Sequence, residues 1–309
     1  MSRIFILLAI LSFSLFVCGQ SSEKADDLLR RGLRSHASGN YAAAIDDFSR
    51  VIELTSTLRS TGTAKGQGFA GPADEAAQRD NIRVVDRRTA AAYINRGNTY
   101  FFMGNIDESL EDYERAIRLT PGLAEGYMCR GSVWLLRKDY DRAIADYRQA
   151  IKVEPKLVKA YLGLAMTLME TGDRTNALAQ FDLAAGIAPT SAEVFYRRGD
   201  AKCTAGDPAG ALVDFERALK LDPNYVGAYM GRGRLRYTQF DFDGAVKDLT
   251  RAIQIDGRFP ECYMIRGFAL LMQRKDAEAE ADFKRAIAMM PSLEVEIDAG
   301  SKKIKTIRN

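Results

Sequence analysis

Apolar residues in the middle of the chain recur on helical faces that are separated by short polar breaks. Tyr127, Gly131 and Trp134 stand at i, i+4 and i+7, which is one face of a helix. Ala143 and Tyr147 begin a second face of the same kind after a polar break. This spacing predicts two consecutive helices, with small residues where their backbones approach each other.

The pattern repeats with a period of 34 residues. One small residue per period forms the set Gly97, Gly131, Ala165, Gly199, Gly233 and Gly267. A second set keeps the same step, at Ser109, Ala143, Ala177, Ala211, Ala245 and Ala279. Six contiguous units follow, at 90–123, 124–157, 158–191, 192–225, 226–259 and 260–293. A single helical hairpin cannot cover its own apolar face, so neighbouring units are expected to stack.

The repeat resembles the tetratricopeptide repeat (TPR) family, over about 240 of the 309 residues. The resemblance implies an all-α fold, a right-handed superhelical solenoid of helix-turn-helix hairpins. It also implies a protein-binding module whose concave groove is lined by the first helix of each hairpin.

The segments outside the six units depart from the period. Residues 20–58 hold a first, atypical unit, and residues 90–293 hold the contiguous array. Residues 59–89 form an insertion whose first part, up to Pro72, is rich in Gly and predicts a flexible loop. The rest of the insertion favours helix and is expected to lengthen the first helix of the next unit. Residues 294–309 predict a polar capping helix.

Arginine and aspartate recur 16 residues apart within the units. The pairs in the contiguous array are Arg96–Asp112, Arg130–Asp146, Arg198–Asp214, Arg232–Asp248 and Arg266–Asp282. Where the arginine is replaced, at Leu164, the aspartate is replaced too, at Gln180. Because a partly buried aspartate is costly without its cation, this joint loss predicts structural ion pairs within or between hairpins.

Two places in each first helix are mostly apolar and form the predicted partner groove. The residues assigned to it are Ile94, Phe101, Phe102, Met128, Leu135, Met169, Tyr196, Tyr237 and Met264. Methionine suits adaptable binding surfaces, and aromatic residues often supply much of the binding energy. An apolar groove of this kind accepts an amphipathic helix or an extended peptide. The alternative is that these side chains only pack against the next hairpin.

The amino-acid composition argues against several classes of function. Forty-four basic and 41 acidic residues leave a net charge of +3, which does not match the footprint of a nucleic-acid-binding protein. The single histidine, His36, argues against zinc hydrolysis and a Ser-His-Asp triad. Cys129, Cys203 and Cys262 lie at least one unit apart and are expected to be free thiols. We expect no cofactor, no metal site, no small-molecule substrate and no nucleic acid partner.

The amino terminus reads as a targeting segment. Residues 4–17 carry no charge and follow Arg3, which fits a signal peptide over residues 1–19. Fourteen uncharged residues are too few for an ordinary transmembrane helix. A second reading takes residues 15–18 as a lipobox that ends at Cys18, although Val17 stands where a small residue is preferred.

These observations predict a non-catalytic scaffold that binds a protein or peptide in its groove, in the periplasm or secreted. The alternative is a lipid-anchored adaptor that organises cell-wall or envelope enzymes through Cys18. Membrane contact is expected only with lipidation or an uncleaved signal. An enzyme with a site in the insertion or the groove is disfavoured, because helix faces and ion pairs account for the acidic residues.

Overall fold

A computed structural model describes residues 23–64 and 72–308, and every regular element within them is helical. The predicted signal peptide and Cys18 lie outside these residues. The chain divides into two compact units, residues 1–163 and residues 164–309, with the division inside one helix. None of the helices in the described part of the chain combines the length and apolar character needed to cross a membrane.

The first compact unit contains three helical hairpins and the start of a seventh helix. Its helices are α1 (23–37), α2 (Tyr41–Ala64), α3 (Pro72–Phe102), α4 (Ile106–Leu119), α5 (Ala124–Leu136), α6 (Tyr140–Val153) and α7 (Val158–Glu170). Residues 73–89 lie inside α3, which extends the first helix of its hairpin. The loop predicted from residue 59 is wrong over 59–64, because α2 continues to Ala64.

The second compact unit continues the same arrangement and ends in a single helix. Its helices are α8 (Arg174–Ile187), α9 (Ala192–Ala205), α10 (Pro208–Leu221), α11 (Val226–Thr238), α12 (Phe242–Ile255), α13 (Pro260–Met272), α14 (Asp276–Met289) and α15 (Glu294–Arg308). A short 3-10 turn, Pro291–Leu293, leads into α15. Helix α15 contacts α13 and occupies the place of the predicted capping helix.

Each hairpin closes where a small residue of the first helix meets a ring or branched side chain of the second. All six repeated small residues, from Gly97 to Gly267, are buried. A Cβ atom built on Gly199 would lie 2.9 Å from the ring of Phe215, and one on Gly267 would lie 2.5 Å from the ring of Phe283. Since real Cβ contacts are longer than this, glycine allows the two helices to approach more closely than a larger residue would.

The turn inside each hairpin has a recurring local chemistry. One residue takes a left-handed backbone conformation, and glycine fills that place at Gly172 and Gly206, with φ of 83° and 84°. In four of these turns an aspartate follows and caps the second helix, as Asp173 and Asp207 do by accepting a hydrogen bond from a backbone amide three residues on. The left-handed residue and the cap together end one helix and start the next within three residues.

Candidate binding surface

The predicted arginine–aspartate pairs are formed, and each joins the two helices of the hairpin in which it lies. In the five pairs of the contiguous array, the arginine Nε and Nη2 atoms donate to both carboxylate oxygens of the aspartate over 2.6–2.9 Å. All five aspartates are buried. The hydrogen bonds to Asp146 raise the pKa of Arg130, so this cation stays charged. Such bidentate geometry is the strong form of this interaction.

Two further cations that the sequence did not predict lie within 3 Å of these aspartates. Lys202 Nζ lies 2.8 Å from Asp214 Oδ2, and Arg236 Nη1 lies 2.8 Å from Asp248 Oδ2. Both cations stand four residues after the arginine of the main pair, one helical turn away. The sequence signal was present, because Lys202 and Arg236 replace the aromatic residues that earlier units carry at that place.

The first helices of neighbouring hairpins lie beside each other within each compact unit. Helix α3 contacts α5 in the first unit, and α11 contacts both α9 and α13 in the second. The side chains of these helices that remain open to solvent form what we call the first-helix surface of each unit. Its described apolar members are Phe101, Phe102, Met128, Leu135 and Leu136 in the first unit, and Met169, Tyr196 and Tyr237 in the second.

The nine predicted groove residues differ in how much of each side chain is exposed to solvent. Phe102 is 65% exposed, whereas Ile94 is only 1% exposed and Met264 is also buried. The remaining six are half-buried. Ile94 and Met264 therefore belong to the hairpin interior, and assigning them to a surface that a partner could touch is wrong. Their apolar character serves packing, which the sequence pattern alone does not distinguish from binding.

Phe102 lies in an aromatic cluster at the end of α3. Its ring centroid is 5.1 Å from that of His36 in an edge-on arrangement, and His36 lies 5.4 Å from Tyr41. The His36 Nδ1 atom is 3.0 Å from Thr99 Oγ1, which fixes the imidazole against α3. Leu136 occupies the place equivalent to Phe102 in the next hairpin and is also exposed. The first unit thus presents apolar side chains at the ends of two neighbouring first helices.

Tyr196 and Tyr237 are held by contacts in the second unit. The ring of Tyr196 lies 5.5 Å from that of Tyr225, and a Cβ on Gly227 would be 3.1 Å from Tyr196 Cζ. Tyr237 lies 5.9 Å from Phe242. Burial raises the pKa of both tyrosine hydroxyls, so they remain neutral and able to donate hydrogen bonds. Both rings are therefore fixed in place and only partly open to a ligand.

The polar side chains of this surface carry both signs. Arg234 of α11 donates to Asp200 of α9, which links two neighbouring first helices. Arg197 donates to Glu193 over 3.4 Å, while its buried Nε atom has no hydrogen-bond partner among the described residues. Since cations and carboxylates alternate here, the second unit offers polar contacts without favouring a ligand of one charge.

No group of three or more His, Cys, Asp or Glu side chains within the described ranges has the arrangement of a metal site. Cys129, Cys203 and Cys262 are free, as expected, although only Cys262 is fully buried. Burial raises the pKa of Cys129 and of Cys262 to about 12, so both thiols stay protonated near neutral pH. Protonated thiols are poor nucleophiles.

Comparisons with solved structures identify proteins of similar fold. A chain of the Cut9–Hcn1 hetero-tetramer of the APC/C matches with a TM-score of 0.63 and 16% identity, over 91% of this chain and 54% of that one. Pseudomonas aeruginosa pilF matches at 0.60 and 19%, over 73% and 99%. A tetratricopeptide repeat protein from Parabacteroides merdae matches at 0.51 and 17%, over 80% and 99%. A search of the curated proteins gave no match.

The family models agree with the repeat frame. One model described as a tetratricopeptide repeat matches residues 90–123, and a second of the same description matches 137–192 and 196–261. Together they cover just over half of the chain. Proteins built from this repeat generally act as scaffolds for protein interaction. The stacked hairpins, the buried small residues at their crossings and these matches show that the chain belongs to the tetratricopeptide repeat family.

Proposed function

We propose that this protein is a non-catalytic scaffold that holds a partner protein or peptide against its first-helix surfaces. The observation that carries the proposal is the open apolar edge of the first unit, where Phe102 and Leu136 project from neighbouring first helices. Exposed apolar side chains that lie next to each other mark interaction sites more often than scattered ones do. The buried carboxylates, in contrast, are already engaged by arginines and lysine, which leaves them no role as acids or bases.

The test compares capture of partners by the wild type, a triple variant and a double control variant. Phe102→Ala, Tyr196→Ala and Tyr237→Ala together alter the first-helix surfaces of both units. The control changes exposed apolar residues of second helices, Leu183→Ala and Val213→Ala. Partners from a native extract should be retained by wild type and control and lost by the triple variant.

Thermal melts must accompany the capture, because Tyr196 and Tyr237 also pack against neighbours. Phe102→Ala alone removes an exposed ring and should leave the melting temperature nearly unchanged while weakening capture. Equal capture by wild type, triple variant and control would refute the assignment of the surface.

We further propose that the protein works outside the cytoplasm. The support is the uncharged run over residues 4–17 behind Arg3. Amino-terminal sequencing of the mature protein should begin at Gln20, after removal of residues 1–19. A mature chain that still begins at Met1 and stays in the cytoplasm would contradict export.

The alternative is a lipid-anchored adaptor that organises envelope enzymes, favoured by Leu15, Phe16 and Cys18 in a lipobox-like order. Metabolic labelling with palmitate separates the two forms. Label that is lost in a Cys18→Ser variant would support the lipid anchor. Unlabelled protein that begins at Gln20 would support the soluble scaffold.

A further inference from the structure

Three of the five arginines in the ion pairs of the contiguous array also reach the preceding hairpin. Besides its own aspartate, Arg96 donates from Nη1 to Ser49 Oγ over 2.8 Å, and Arg198 does so to Asp182 Oδ1 over 2.8 Å. Arg266 makes the equivalent bond to Thr250 Oγ1 at 3.0 Å. In each case the acceptor lies on the second helix of the hairpin before. The same guanidinium group therefore links the two helices of its own hairpin and also bonds to the preceding hairpin.

Arg31 lacks the second half of this interaction. It pairs with Asp47 in the first hairpin, but no described residue gives its Nη1 atom an acceptor. Its side chain is 55% exposed, against 14–23% for the arginines of the five pairs in the contiguous array. This face of the first hairpin is therefore equivalent to the face with which later hairpins contact the hairpin before them.

A cleft of about 690 Å³ lies on this face, between α1 and α2. Leu28 and Leu54 provide its apolar part. Its charged lining consists of Lys24, Arg31, Arg34 and Arg50 against Asp27 and Glu53. Lys24 and Arg34 have no carboxylate partner among the described residues, so the cleft offers unpaired positive charge around an apolar floor. An occupant with an apolar side chain flanked by carboxylates would complement it.

Helix α15 presents that chemistry. Its inner face buries Ile297 and Ile304, while Val295 on the outer face is 79% exposed. Three acidic residues lie close to Val295 in the sequence of this helix: Glu294, Glu296 and Asp298. All three are exposed and form no ion pair with any described residue. The first half of α15 is therefore an acidic helix surface with an apolar centre.

We infer that a second copy of this chain places the acidic half of its α15 in the α1–α2 cleft. Val295 would pack over Leu54 beside the already buried Leu28. A carboxylate of α15 would give Arg31 the acceptor that the preceding hairpin supplies to Arg96, Arg198 and Arg266. The contact joins two different surfaces, so it can repeat from copy to copy in a head-to-tail assembly. Opposite charges on the two surfaces favour this register and speed its formation.

Sedimentation velocity of the purified chain over a range of concentrations tests the inference. The wild type should show a sedimentation coefficient that rises with concentration and falls again when salt is added, because salt screens the charge pairing. The cleft variant Lys24→Glu with Arg34→Glu should sediment as a monomer. The helix variant Glu294→Lys with Asp298→Lys should do so too. None of these changes touches an ion pair inside a hairpin, and circular dichroism confirms that each variant is folded.

A mixture of the two variants gives the sharpest readout. Each carries one intact surface, so equal amounts should associate although each alone does not. The control Glu108→Lys with Glu278→Lys makes the same change of charge at exposed residues elsewhere and should associate like the wild type. A wild type that stays monomeric at every concentration overturns the inference. So does association that survives both variants, or a mixture that remains monomeric.

Discussion

The α11–α12 hairpin and the α7–α8 hairpin follow the same repeat pattern. The first contains a buried charge pair, and the second has neutral residues at the same positions. In the first, Asp248 is buried and accepts hydrogen bonds from both Arg232 and Arg236. In the second, Leu164 and Gln180 replace the pair, and Leu164 is buried. The helices of both hairpins begin and end at equivalent positions of the 34-residue repeat.

Gly233 meets Leu249 where α11 crosses α12, and the equivalent positions of the other hairpin hold Ala165 and Phe181, which are both buried. This comparison indicates that the small residue opposite a large apolar residue determines how closely the two helices approach each other. The charge pair is an addition that the fold can exchange for neutral residues. What the fold cannot tolerate is half of the pair, since an unpaired buried charge is strongly destabilising.

The largest effect is expected from removing the shared carboxylate. Asp248→Ala leaves Arg232 without its counter-charge in a mostly buried site and leaves Arg236 with only Asp241, 3.6 Å away. It should lower the free energy of unfolding by about 3–5 kcal/mol. Urea unfolding followed by circular dichroism measures it. The matched change Gln180→Ala in the neutral hairpin should cost less than about 1 kcal/mol. Equal losses at both positions would show that the aspartate carries no special role.

The neutral pair should be transferable to another hairpin. Asp146→Gln alone is expected to cost about 3 kcal/mol, because Arg130 stays behind unpaired. Adding Arg130→Leu reproduces the combination of the α7–α8 hairpin and should restore more than half of that loss. Thermal melts of the two single variants and the double variant complete the cycle. A double variant as unstable as the sum of the singles would contradict the exchange.

The crossing itself can be tested at Gly199. Its Cβ position lies 2.9 Å from the Phe215 ring and 3.2 Å from the Ala211 carbonyl oxygen, so Gly199→Ala should destabilise by about 1–3 kcal/mol through overpacking. Gly186 lies in α8 with no atom within 4 Å of its Cβ position. Gly186→Ala should therefore stabilise by about 0.5 kcal/mol, through helix propensity. Urea midpoints that move in the same direction for both would refute the argument.

The smallest effect is expected in the turns of the two compared hairpins. Phe240 adopts φ of 65° and is 76% exposed, where the α7–α8 turn has Gly172 at φ of 83°. Because a bulky residue is strained in this region, Phe240→Gly should raise stability by up to about 1 kcal/mol. Gly172→Phe should lower stability by a similar amount in the same melting experiment. A loss of stability in Phe240→Gly would show that the ring stabilises the turn through Phe242.

The sequence was sufficient for the hairpins and their ion pairs, because one chain repeats the same contacts six times. The joint replacement at Leu164 and Gln180 pointed directly to a contact between those two positions. Burial was harder to predict, since Ile94 and Phe102 are both apolar residues of one helix with opposite exposure. The bonds of Arg96, Arg198 and Arg266 to the preceding hairpin were also missed. Their acceptors are serine, aspartate and threonine, so no single residue type recurs at that place.

We propose that partners contact first helices and not second helices. Photo-crosslinking tests it directly, with benzoylphenylalanine placed in turn at Phe102, Tyr237, Leu183 and Val213 of the folded protein. Adducts with the captured partner should arise from Phe102 and Tyr237, on α3 and α11, and not from Leu183 and Val213, on α8 and α10. Adducts from the second-helix positions, with none from the first helices, would contradict the claim.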